Sequence, residues 1–295
     1  MAAIRSMLIT ASLLATAAAA QTASETIDVI GRSPEEVRQE AQQFVRATGV
    51  GDDGRAIARW VEPVCPHVLG VSADIGKRVA DTVRAVASEA GIRVARTPCR
   101  TNIVISFVGD GGALVRKVAE KAPGRLTDVP AEDRAALLRG DAPIRWWHAT
   151  EMRTKDGLGT TGNEAPPFAK LDGPGGVPMA GEVHFQYNSS IASTQMVRVL
   201  KAATVVIDVN RATGMPLDSV AAFAAMVSLA EVGPSEQPPA KSILSLFSED
   251  GPRDLTPLDE NFLRALYRLP LDRTALAQRG LLVRGLLNPA KRDEN

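Results

Sequence analysis

Three histidines, His67, His148 and His184, and two cysteines, Cys65 and Cys99, are the side chains best suited to bind a metal or move a proton in this chain. Three imidazoles make a zinc site when a fold gathers them, but their spacing here follows no ligand pattern, so a surface or internally satisfied role for each stands beside the metal reading. His148 closes the run Arg145-Trp146-Trp147-His148. Strand alternation puts Arg145 and Trp147 on one face and Trp146 and His148 on the other. One face can line a cleft with an aromatic ring and a proton carrier; a core face backed by a solvent face explains the same pattern. Asp208 and Asp218 flank a strand and a helix, either as an acid pair or as a strand-end residue and a helix cap. Trp146, His148, His184 and Asp218 are therefore the candidate cleft residues. Gly109-Asp110-Gly111-Gly112 lacks the spacing of a phosphate loop and reads as a turn. The chain has no Gly-x-Ser-x-Gly elbow and no Cys-x-x-Cys pair, which weakens most serine-hydrolase and cofactor readings.

The ends and composition narrow the setting. Residues 1–20 carry one positive charge at Arg5, then an apolar run shorter than the ~20 residues a bilayer requires, then small residues ending at Ala20. That pattern predicts a secretory signal peptide cleaved after Ala20, no membrane span in the mature chain, and a periplasmic or secreted protein. Cleavage leaves 33 basic against 34 acidic side chains, a balance with no electrostatic footprint for nucleic acid or anionic membrane. In an oxidising compartment an even cysteine count favours a bridge between Cys65 and Cys99, with two free thiols or a metal pair as alternatives. Aromatic residues make up only 4% of the chain, so aliphatic packing must supply most of the core.

Helical periodicity is clearest from Ser72 to Gly91, with Ile75, Val79, Val83, Val86 and Ala90 on one face. A first helix starts at Ser33-Pro34-Glu35-Glu36 and stops at Gly49. Residues 102–108 are a β-branched run that reads as a buried strand, followed by helices at about 112–121 and 131–139 and a strand from Ile144. The segment from Trp60 to Pro66 is too rich in proline for a central strand. Residues 157–181 hold 11 Gly and Pro residues and read as a functional loop or linker. Strands at 182–187 and 197–209 follow, then helices at about 217–232, from Thr256-Pro257, and over 274–287. Helices and strands mix without regular alternation, which predicts an α+β class. The expected organisation is one domain over 21–295, with a disulfide-tied half at about 25–150 and a second half at 182–295.

In the second half, strand Ala203–Val209, helix Leu217–Val232, Gly233, Ser242-Ile243-Leu244 and Leu255-Thr-Pro-Leu-Asp259 with Leu263, Leu266 and Tyr267 succeed one another over about 70 residues. This order resembles the matrixin-type zincin metalloproteases, whose helix carries His-Glu-x-x-His-x-x-Gly and is followed by a Ser-Ile-Met turn and a final Leu-x-x-x-Asp helix. Matching Gly233 to the family's glycine puts Met226 and Ala230 at the zinc histidines, Val227 at the general-base glutamate, Glu236 at the third ligand and Leu244 at the methionine of the turn. Zinc needs nitrogen, sulfur or carboxylate donors, and one glutamate can neither hold it nor activate its water. The resemblance thus implies a zincin-like mixed sheet without a metal or other cofactor. With its Cys65-Pro66 segment and Cys99-x-x-Asn102 strand entry, the whole chain is also similar to secreted alphaproteobacterial proteins. The expected function is binding, of a peptide or envelope protein. A hydrolase with a site rebuilt from His148, His184, Glu236 or Asp218, and an envelope structural or assembly factor, are the alternatives.

Overall fold

The computed structural model describes residues 33–51, 54–139, 141–154, 196–235 and 237–288; His184, Glu236, the signal peptide expected at 1–20, the 157–181 segment and the strand expected at 182–187 lie outside the described residues. Seven helices and five strands are described: α1 Pro34–Ala47, β1 Arg59–Trp60, β2 Pro66–Leu69, α2 Ala73–Glu89, β3 Ile103–Val108, α3 Gly111–Lys121, α4 Ala131–Leu138, β4 Ile144–Thr154, β5 Met196–Asp208, α5 Leu217–Leu229, α6 Pro257–Arg268 and α7 Ala275–Leu287. The class is α+β, with one mostly parallel sheet.

Strand β5 is the hub of that sheet. One side pairs in parallel with β3 from Ile103↔Ala203 to Val108↔Asp208, and further back with β1. Its other side pairs antiparallel with β4 from Ile144↔Ile207 to Thr154↔Met196. Strand β2 adds to the far side of β3 in parallel, so among the described residues β2 and β4 lie at the edges. The β5 run is mostly apolar and buried on both faces towards its end, from Val205 to Ile207, as a strand covered on both sides must be.

The larger core lies between the sheet and α5, where Ile103, Ile105, Val205 and Ile207 meet an α5 that is buried from Ser219 to Leu229. A helix apolar all round has no solvent face to offer and takes the centre of the molecule. A smaller core on the opposite face packs Trp147 and Val206 against Val115, Leu126 and Leu137. Arg145 joins Trp147 on that side, its Nε donating to the Leu137 carbonyl.

The proline-rich segment from Trp60 to Pro66 forms no central strand: Pro66 opens β2 as its first residue at an edge of the described sheet, where the missing N–H costs no ladder bond. Two local expectations are corrected. Ile75, in the first turn of α2, is 38% exposed despite its place in the helical pattern. Helix α5 stops at Leu229, three residues short of Val232, and the reason lies in what holds its carbonyls.

Candidate functional site

An α-helix ends with carbonyls that have no intrahelical partner. In α5 they are taken by side chains from three other elements. Trp60 Nε1 donates to the Ser228 carbonyl at 2.9 Å, the Tyr267 hydroxyl to Leu229 at 2.5 Å, and His148 Nε2 bonds Val227 at 2.8 Å. Beyond the helix, Trp146 Nε1 donates to the Val232 carbonyl at 2.8 Å. With these sites filled, Ala230 turns to extended geometry and the chain leaves the helix. Met226, Val227 and Ala230 are each fully buried, with Ala230 already past the last helical residue. Val227 and Ala230 have no donor atom in their side chains and Met226 only a neutral thioether sulfur, so these three residues do not make the nitrogen, thiolate or carboxylate set that zinc takes. Among the described residues no three His, Cys, Asp or Glu side chains converge as a metal site.

The elements that follow α5 are tied to one another by Asp259. It is fully buried, closes a capping box with Thr256, and accepts from the Ser242 hydroxyl at 2.5 Å and the Ile243 N–H at 2.8 Å. Burial pushes its carboxyl up, against four hydrogen bonds that favour the ionised form. Tyr267, one helix face further on, reaches back to the end of α5. Its hydroxyl also accepts from the Trp60 N–H, and burial pushes it far above the usual phenol value.

His148 sits where β4 meets the end of α5, on the same strand face as Trp146 and opposite Trp147. A backbone carbonyl can only accept, so Nε2 carries the proton on its bond to Val227. The ring is 7% exposed. Burial pushes its pKa down, while Glu231 and the Val227 bond pull the other way and Arg198 adds to the depression. A neutral ring with its proton on Nε2 leaves a lone pair on Nδ1. Among the described residues Nδ1 has no hydrogen-bond partner, and His148 lines a cavity of about 390 Å³.

That cavity is walled by the end of α1 at Arg46 to Gly51, the turn into α4 at Asp128 to Asp133, Arg198 of β5 and the segment Glu231 to Ser235. Gly49, at φ +68°, ends α1 and lets the Gly233 N–H reach the Thr48 carbonyl at 3.0 Å. Arg198 and Glu231 form a bidentate pair at 2.5 Å with both side chains largely buried. Asp128 accepts from the Thr150 N–H of β4, and a register shift between Ala149 and Thr150, skipping Lys201 on β5, falls beside it. Such a bulge re-aims side chains on one strand.

The structure therefore brings Trp146 and His148 together at the end of α5 and sets Asp218 apart. Asp218 lies in the first turn of α5, about 14 Å along the helix from Val227, and pairs with Arg78 on an exposed surface. It is not the helix cap, a position held by Pro216. Asp208 is buried and accepts from the Gly111, Asn210 and Arg211 N–H groups, so it closes the end of β5 and forms no acid pair with Asp218. His67 is exposed on β2, three strand spacings of about 4.8 Å from β4, too far to share a metal with His148. Arg198, Glu231, Asp128 and Asp133 were not legible as site residues, since five separate segments supply the cavity and no local spacing links them. Comparison with protein-family models, curated proteins and solved structures finds no match for this chain.

Proposed function

We propose that this chain is an exported, non-catalytic protein of zincin-like architecture, working in the periplasm or outside the cell, that binds a peptide segment in the cavity beside His148. The observation that carries the reading is the pairing of a helix whose protease-like positions are buried and apolar with a polar cavity of about 390 Å³ at its end, a volume within the range of small-ligand sites. The order of β5, α5, the Ser242 turn and α6, held together by Asp259 and Tyr267, supports the architecture. No helix among the described residues is long and apolar enough to cross a membrane.

The test is elemental analysis of the purified mature chain after incubation with zinc and gel filtration, run beside a peptide-cleavage assay. The expected outcome is no stoichiometric zinc and no cleavage. One tightly held zinc per chain overturns the reading. Hydrolysis by a site rebuilt on His148 is the rival, favoured by a neutral imidazole in the cavity lining. Cleavage that disappears in His148→Gln would put that rival in its place.

A further inference from the structure

We infer that the cavity receives a primary ammonium group, held between His148 Nδ1 and the carboxylates of Asp128, Asp133 and Glu231; this rests on the peptide-binding reading and assigns the part of the ligand that enters. The inner wall is built before any ligand arrives. His148 is held in one tautomer by the Val227 carbonyl and offers an acceptor with no partner of its own among the described residues. Asp128, Asp133 and Glu231 bring three partly buried carboxylates to this wall, beside the guanidinium groups of Arg55 and Arg198. Arg198 is turned onto Glu231 by two hydrogen bonds, and Arg55 donates to the Asp128 carbonyl. Arg46 and Glu132 sit exposed at the rim and oppose each other in charge.

Each other class of ligand fits this wall less well. A carboxylate or phosphate would meet the Nδ1 lone pair and the inner carboxylates, and burial opposes the ring protonation that would relieve the clash. An apolar group would strip water from an acceptor and several charges and return no hydrogen bond. An ammonium supplies three donors and one positive charge, and charge-assisted bonds of this kind are the strong ones. Two sources carry that chemistry, the free amino terminus of a peptide and the end of a lysine side chain.

The experiment is calorimetric titration of the full mature chain with trialanine amide, its N-acetylated form, and Nα-acetyl-lysine methylamide. Trialanine amide binding about tenfold or more tighter than the acetylated form, the scale of one lost charge-assisted bond, supports an amino-terminal source. Binding of the lysine compound that Nζ-acetylation abolishes supports the side-chain source. Asp133→Asn should weaken either by several-fold, and His148→Gln, which keeps both a donor for Val227 and an acceptor for the cavity, should bind more nearly like the parent. In imidazole ¹⁵N spectra the Nδ1 resonance of His148 should move with the amine and stay still with the acetylated control, a response a merely structural histidine would not give. Equal affinity for free and acetylated peptides overturns the ammonium assignment and leaves peptide binding standing. No binding by any of these compounds overturns both.

Discussion

His148 shows how a single residue can be placed by packing and still face outward chemically. Its Nε2 bond closes the end of α5, and the same residue lines the cavity. The sequence announced the residue, because the Arg145-Trp146-Trp147-His148 alternation assigns faces correctly, but it could not say that carboxylates would line the same cavity. Those come from Asp128, Asp133 and Glu231, far apart along the chain. The depressed pKa has a consequence for stability. An unfolded histidine takes up its proton near pH 6.5, whereas the folded ring resists it until lower pH. Between the two values the unfolded chain binds more protons, so the contribution is complete above about pH 6.5 and is lost as pH falls through the depressed folded value. Urea midpoints measured from pH 7.5 to 5 should fall more steeply for the parent than for His148→Gln. Parallel curves for the two would mean that the ring titrates freely.

At the scale of elements, α5 is the piece whose extent was misjudged and whose burial was not. Its apolar composition on every face made a central helix legible, and so did the Thr256-Pro257 cap of α6. Its end was illegible because the helix is stopped by partners from β1, β4 and α6, and a long-range capping bond leaves no local signature in the sequence. The short β2 was hidden for a related reason: proline counts against a strand until the strand is known to lie at an edge with Pro66 at its start. Tyr267 is the test of the capping account. Its hydroxyl satisfies two buried backbone groups, the Leu229 carbonyl and the Trp60 N–H, that have lost their water. Tyr267→Phe preserves the ring and removes only the oxygen, so the expected loss is about 1–3 kcal/mol, the cost of leaving a buried polar group unsatisfied. Chemical denaturation of the pair of proteins measures it, and a difference under about 0.5 kcal/mol would show that water or a shift of the chain replaces the bond.

Across the whole molecule, the two halves separated in sequence share one sheet, since β5 from the second half pairs with β1, β3 and β4 from the first. The edge at β2 is the thin part of that arrangement. It is four residues long, pairs among the described residues with β3 alone, and begins at a proline. Three features fasten it. Gly70, at φ +84°, lets the chain leave β2 over Phe107, where a Cβ would stand 2.0 Å from the Phe107 carbonyl oxygen. The Asn102 amide bridges the Cys65 N–H, at 2.7 Å, and the Pro63 carbonyl, at 3.0 Å. The disulfide between Cys65 and Cys99 then joins the start of β2 to the approach to β3. Closing a loop across 34 residues restricts the unfolded chain by an amount worth about 3 to 4 kcal/mol in the entropic model. Reduction, or replacement of both cysteines by serine, should therefore lower the unfolding free energy by about that amount and remove hydrogen-exchange protection at β2 first. The β3 and β5 amides, paired along the centre of the sheet, should keep theirs until global unfolding. A reduced protein that unfolds at the same denaturant concentration, with β2 still protected, would show that Asn102 and the β3 ladder hold the edge without the bridge.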